Sequence, residues 1–136
     1  MYTVPFSISD AYEGLADVGG LARFEADVLT LEFQTKDAFF GIIKSDVQNV
    51  QLTLNDLASV HFTKNMFRAT LKLRVQSMAL IEKIPGANRG EIKLRFARKY
   101  RDEAHTLASR LQLRLSEHRL EGMDEEMRKL EDGNLG

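Results

Sequence analysis

The sequence predicts a mainly β domain finished by one C-terminal α-helix. Three observations carry this. From Gly20 to Phe96, apolar and polar residues alternate in short runs separated by turn residues, which is the period of half-buried antiparallel strands. At Tyr100 the period changes: Tyr100, Ala104, Leu107, Ala108, Leu111 and Leu115 make one stripe of an amphipathic helix. Strands and helices do not alternate, so no parallel nucleotide-binding sheet is expected.

Each element has its own signal. Tyr2, Val4, Phe6 and Ile8 alternate as a short strand, which Pro5 would confine to an edge. Ser9 to Val18 reads as a helical turn or a loop. Ala22, Phe24 and Ala26 alternate with Arg23 and Glu25, then Leu29, Leu31 and Phe33 with Thr30 and Glu32. A tight hairpin near Ala26–Asp27 is expected between them. Phe39 to Lys44 suggests a further short strand. Val50, Leu52 and Leu54 lead to a turn at Asn55–Asp56. Val60 and Phe62 lead to another at Lys64–Asn65. Ala69, Leu71, Leu73 and Val75 give the cleanest strand. Pro85–Gly86 and Gly90 bracket a turn before Ile92, Leu94 and Phe96. Six to eight short antiparallel strands so spaced suit a small barrel or sandwich. Asp102 and Glu103 near the start of the closing helix, with Arg110 and Arg114 further on, suit its macrodipole.

Composition narrows the function. The chain has 136 residues, 43% of them hydrophobic and 29% charged, as expected of one folded domain. A net charge of −1 argues against a wholly basic nucleic-acid binder. With no cysteine, disulfides, thiolate metal sites and thiol nucleophiles are all excluded. The start, MYTVPFSISD, has neither the basic nor the apolar region of a signal peptide. Ala38 to Ile43, the longest apolar run, falls far short of the roughly 20 residues of a membrane span. Together these point to a soluble, cytoplasmic protein. Charge is uneven: residues 1–40 carry −5, residues 41–115 carry +8, and residues 116–136 carry −4.

Catalytic patterns are missing. His61, His105 and His118 have no metal-ligand spacing. The carboxylates are scattered, and none lies on an obviously apolar face that would raise its pKa for acid–base work. Gly14, Gly19 and Gly20 do not form a phosphate-binding loop. The serines lack a nucleophile elbow. The chain is therefore expected to be no enzyme and to use neither cofactor nor metal.

Two constellations point to binding. Lys72 and Arg74 share one strand face, and Lys93 and Arg95 another. If those strands pair, four cations meet on one solvent face, extended by Arg98, Lys99 and Arg101. Such a face suits an anionic surface, or is simply a solvated sheet face. Single-stranded nucleic acid would want exposed aromatics between the cations, and Thr70, Gln76 and Glu91 stand there instead. The second constellation is in the tail. Leu113, Leu120 and Met127 lie seven apart, with Met123 and Leu130 at the intervening positions of a heptad. Ser116 and Gly122 interrupt the pattern, so a frayed acidic tail from Glu121, with Asp132 to Gly136 mobile, is the competing expectation.

The strand series, the run LTLNDLASVHF followed by LKLRV, and EIKLRFARKYRDEAHTLASRL passing from last strand into helix resemble the pleckstrin-homology-like superfold, in particular its bacterial branch. That resemblance implies a partly open antiparallel barrel of two near-orthogonal sheets, seven strands in all, capped by the C-terminal helix. It places the domain at residues 20–118, after an N-terminal extension (1–19) and before an acidic tail (119–136). It also implies a non-enzymatic interaction or scaffolding module. The first hairpin, RFEADVLTLEF, departs from the basic hairpin of phosphoinositide-binding members, since it holds Glu25, Asp27 and Glu32 against Arg23 alone. The expected partner is thus a protein, or another copy in a homo-oligomer. Peripheral binding to anionic lipid through the basic face is the alternative. A small-molecule carrier is disfavoured, because Phe24, Phe33, Phe62 and Phe96 are expected to fill the interior.

Overall fold

The computed structural model describes residues 3–8, 16–37, 46–87 and 89–135. The described residues form seven strands: β1 (Thr3–Ile8), β2 (Ala16–Glu25), β3 (Val28–Asp37), β4 (Gln48–Thr53), β5 (Leu57–Lys64), β6 (Arg68–Val75) and β7 (Glu91–Ala97). A short helix α1 (Met78–Glu82) precedes β7, and α2 (Arg101–Leu135) ends the chain. The expected strand at Phe39–Lys44 and most of the Ser9–Val18 stretch lie outside the described residues.

All seven strands join one antiparallel sheet in the order β4-β3-β2-β1-β7-β6-β5. Its two edge strands are neighbours in sequence, which forces its shape. Laid flat, β4 and β5 would lie six strand spacings apart, or about 29 Å. Only Leu54–Asp56 separates them, and the four Cα steps from Thr53 to Leu57 span at most about 14 Å. The sheet therefore rolls up. No ladder joins β4 to β5 among the described residues, so the barrel stays open there.

The alternation read from sequence becomes the inside of this barrel. Val4, Phe6 and Ile8 of β1 sit opposite Ala22, Gly20 and Val18 of β2. Leu31 and Leu29 of β3 sit opposite Val50 and Leu52 of β4. Leu71 and Leu73 of β6 sit opposite Leu94 and Ile92 of β7. Apart from the glycine, all of these are buried. Gly20 stands in register between Phe6 and Phe33. A Cβ there would lie 2.0 Å from the Glu32 carbonyl oxygen and 2.9 Å from Phe33 Cα, so only glycine lets β3 approach.

Two expectations about the N-terminal segment change. Residues 3–8 belong to the sheet, and the boundary drawn at residue 19/20 falls inside β2. Nor is β1 an edge strand, because it lies between β2 and β7. Pro5 is tolerated since the β1–β7 seam is a single register pair, Ser7↔Arg95, so little of the ladder needs its missing N–H. This seam divides the sheet into two well-paired halves, β4-β3-β2-β1 and β7-β6-β5.

Helix α2 seals the barrel. Ala104, Leu107, Ala108, Leu111 and Leu115, the stripe seen in the sequence, are at most 5% exposed, and Tyr100 packs against the same core. At full burial each large side chain contributes about 1.5–3 kcal/mol. The fold is thus a partly open antiparallel barrel capped by a helix. None of the described helices is long and apolar enough to cross a membrane.

Candidate functional site

The helix does more than cap. It runs 35 residues, about 52 Å, and only the first half lies on the barrel. That half is held at both borders of the opening. On one border it meets β5, whose outer edge has no strand partner among the described residues. Gln112 Nε2 donates to the Val60 carbonyl at 3.4 Å, and Arg119 donates to the Ala58 carbonyl. Edge carbonyls open to strand addition are thereby covered. Beyond them His118 Nε2 meets Asn55 Oδ1 at 2.7 Å, and the Phe62 and His105 rings lie 5.7 Å apart.

On the other border it meets the β2–β3 turn. Ala26 and Asp27 both have positive φ, 51° and 61°, the type I′ hairpin geometry that suits strand twist. Neither is glycine, so the turn carries some strain. Asp27 projects to α2, where Arg114 grips it with two bonds: Nε to Oδ1 and Nη2 to Oδ2, each 2.9 Å. Glu117 and Glu121 also approach the Arg114 guanidinium. The bidentate bond from Arg114, helped by its charge, holds the Asp27 carboxyl below the ordinary aspartate range. Arg114 in turn is held more firmly protonated, through Asp27 first and Glu117 second.

The predicted cations come together in part. β6 and β7 do pair, with Lys72 directly opposite Lys93. Arg74 lies opposite Glu91 and contacts it at 3.4 Å, and Lys93 reaches the same carboxylate at 3.9 Å. Arg95 lies opposite Thr70 on one side and Ser7 on the other. Arg98 and Lys99 belong to the 3₁₀ turn Arg98–Tyr100 leading into α2, with Lys99 Nζ 5.1 Å from the centre of the Tyr100 ring. Arg101 turns away to donate to the Asn65 carbonyl at 2.7 Å. The result is a basic sheet face on which Glu91 is the acid placed among the described residues, with a second basic group at the end where α2 begins.

The five tail residues are helical and exposed. Leu113, Leu120, Met123, Met127 and Leu130 lie between 59% and 68% exposed. The helix passes through Gly122 and Asp132 to Leu135 without a break. Sequence reasoning missed a further exposed pair, Met66 and Phe67, at the β5–β6 turn. The signal was legible as two large apolar residues between Lys64 and Arg68, where a turn is ordinarily polar.

Among the described residues no group of three or more His, Asp or Glu side chains is placed to hold a metal ion. Comparison with protein-family models, with curated proteins and with solved structures finds no match.

The Asp27–Arg114 clamp predicts a pH dependence. Because folding lowers the Asp27 pKa, its contribution is complete at neutral pH and is lost as pH falls through the lowered value. Wild type should exceed Asp27→Asn in urea midpoint at pH 7. The gap should close as pH drops below about 4. A gap that persists unchanged in acid would show that the ion pair is not its source.

Proposed function

We propose that this protein is a non-catalytic interaction module of the pleckstrin-homology-like type, in which the barrel holds a helix that pairs with the same helix of a second copy. One observation carries the reading: beyond Arg119 the helix leaves the barrel, yet four large apolar side chains, Leu120, Met123, Met127 and Leu130, continue from Leu113 along it at heptad spacing. A helix with nothing to cover would be polar all round. Leu113 lies midway between Leu111 and Leu115 in sequence, about 200° round the helix from each, and those two are buried against the barrel. The seam therefore begins on the side facing away from the domain, and two helices can pair with their barrels outside.

The flanking charges favour parallel pairing. With Leu113, Leu120 and Met127 as the a positions, Glu117, Asp124 and Glu131 fall at e, and Arg119 and Glu126 at g. Antiparallel pairing would set the acidic e rows against each other. Parallel pairing sets Arg119 against the other copy's Asp124 and Glu126 against its Glu131, one attraction and one repulsion per side. Such a dimer is modest in strength and gains from salt, which screens the acidic ends.

Sedimentation equilibrium tests this. The full chain should be a dimer at micromolar concentration. Leu120→Ser with Met127→Ser should weaken it at least tenfold, because four seam side chains are lost per dimer. A chain ending at Glu117 should be a monomer with an unchanged barrel. A full chain that is monomeric throughout, at any salt concentration, would overturn self-pairing.

The register of β6 and β7 favours a second reading, attachment to an anionic lipid surface. Like charges directly opposite destabilise a sheet, and Lys72 and Lys93 are so placed. An anion resting on that face relieves them. Lys72→Glu with Lys93→Glu should lower sedimentation with acidic vesicles several-fold at low salt. Equal binding by wild type and variant would dismiss this face.

A further inference from the structure

We propose that the β5–β6 turn is a membrane wedge: Met66 and Phe67 enter the interfacial layer of a bilayer whose acidic headgroups engage the cations around the turn. This inference does not depend on pairing of α2, and it holds whether or not the Lys72–Lys93 face takes part.

The first argument is exposure. Met66 is 69% and Phe67 72% exposed, and Phe67 is the most exposed large apolar side chain among the described residues. Both sit at the tip of the β5–β6 hairpin, between Lys64 and Arg68. An apolar hairpin tip this exposed suits a recipient that yields around it, as the interfacial region of a bilayer does.

The second argument is that the turn is built to stay open. Asn65 Oδ1 accepts from the Phe67 N–H at 2.8 Å and from the Arg68 N–H at 3.0 Å. Asn65 N–H donates to the Arg68 carbonyl at 2.9 Å. Arg101 holds the remaining Asn65 carbonyl from α2. With the backbone so fixed, neither apolar side chain folds back onto the core. The turn would keep all of these bonds with polar residues at 66 and 67, so nothing in the fold requires the apolar pair.

The third argument is charge. From Lys64 to Arg68 and from Arg98 to Arg101 the chain carries five cations and no carboxylate. Arg68 is opposite Ala97 in the β6–β7 ladder, so Arg98 and Lys99 follow directly beside the turn. Asp102 and Glu103 on the first turn of α2, with Glu91 at the far end of β7, leave the group positive. Two apolar side chains alone hold a surface weakly. An apolar insertion combined with a polybasic group is the pairing that gives stable peripheral attachment.

The placement also leaves the helix free. Arg101 touches the wedge turn, and Leu130 lies 29 residues further along the same helix, about 44 Å away. The acidic end of α2 is thus held far from an anionic surface, while its seam points into solution.

Two measurements on the full chain test the wedge. The chain has no tryptophan, so Phe67→Trp places its only indole at the tip. With vesicles of phosphatidylcholine and phosphatidylserine, the indole emission should shift to the blue and be quenched by bromine-labelled acyl chains. Vesicles of phosphatidylcholine alone should cause little change. Met66→Ser with Phe67→Ser should lower sedimentation with the mixed vesicles about tenfold, while the urea midpoint stays that of wild type. An unshifted indole on vesicles that nonetheless sediment the protein would overturn the wedge and leave binding to the sheet face. Failure of wild type to sediment with either vesicle would also overturn it and mark the tip as a contact for another protein.

Discussion

Everything in this molecule depends on how the apolar stripe of α2 sits in the mouth of a barrel that cannot close itself. The short link between β4 and β5 rolls the sheet until its two edges approach, but among the described residues the edges do not pair. Exposed core and unbonded β5 carbonyls would remain. Ala104 to Leu115 fill the opening, Gln112 and Arg119 bind the β5 carbonyls, and Arg114 fixes the opposite border through Asp27. Apolar burial supplies most of the stabilisation. The polar contacts set the angle and register at which the helix leaves.

That exit makes the fold directional. The N-terminal end of α2 is anchored beside a basic apolar turn, and its C-terminal half projects as an acidic amphipathic rod. Strands β1–β3 come from the −5 segment, residues 1–40, and share the barrel with the strands of the +8 segment, residues 41–115, whereas the −4 segment, residues 116–136, follows along α2. A rigid helix shared by the barrel and the free seam gives whatever binds one end a fixed orientation relative to the other. The basic end suits an acidic surface and the seam suits another helix, and neither use demands catalytic chemistry.

Much of the fold was legible because its rules are local. Period-2 alternation put the inward residues of β2, β3, β4, β6 and β7 on the correct face, and the 3.6-residue period separated the buried stripe of α2 from its exposed seam. The turn at Ala26–Asp27 was placed correctly even without glycine. Helix α1 was missed because five residues, Met78–Glu82, are too few to show a period. The central position of β1 was also hidden, since its neighbours are decided by sheet closure and not by its own residues. The sites follow the same division. The heptad residues could be read along one helix, whereas the Lys72–Lys93 opposition needed the strand register. The Asp27–Arg114 clamp joins residues 87 apart, beyond any local pattern. Met66 and Phe67 escaped notice because apolar residues near strands are ordinarily assigned to a core.

Native-state hydrogen exchange tests most directly whether α2 is an integral wall of the barrel. The amides of Leu107 and Leu111 are expected to exchange only through global unfolding, with the same opening free energy as those of Leu71 and Leu94. Exchange of the helix amides through a smaller opening, with the sheet amides still protected, would mean that the barrel stands without its helix and would contradict the central claim.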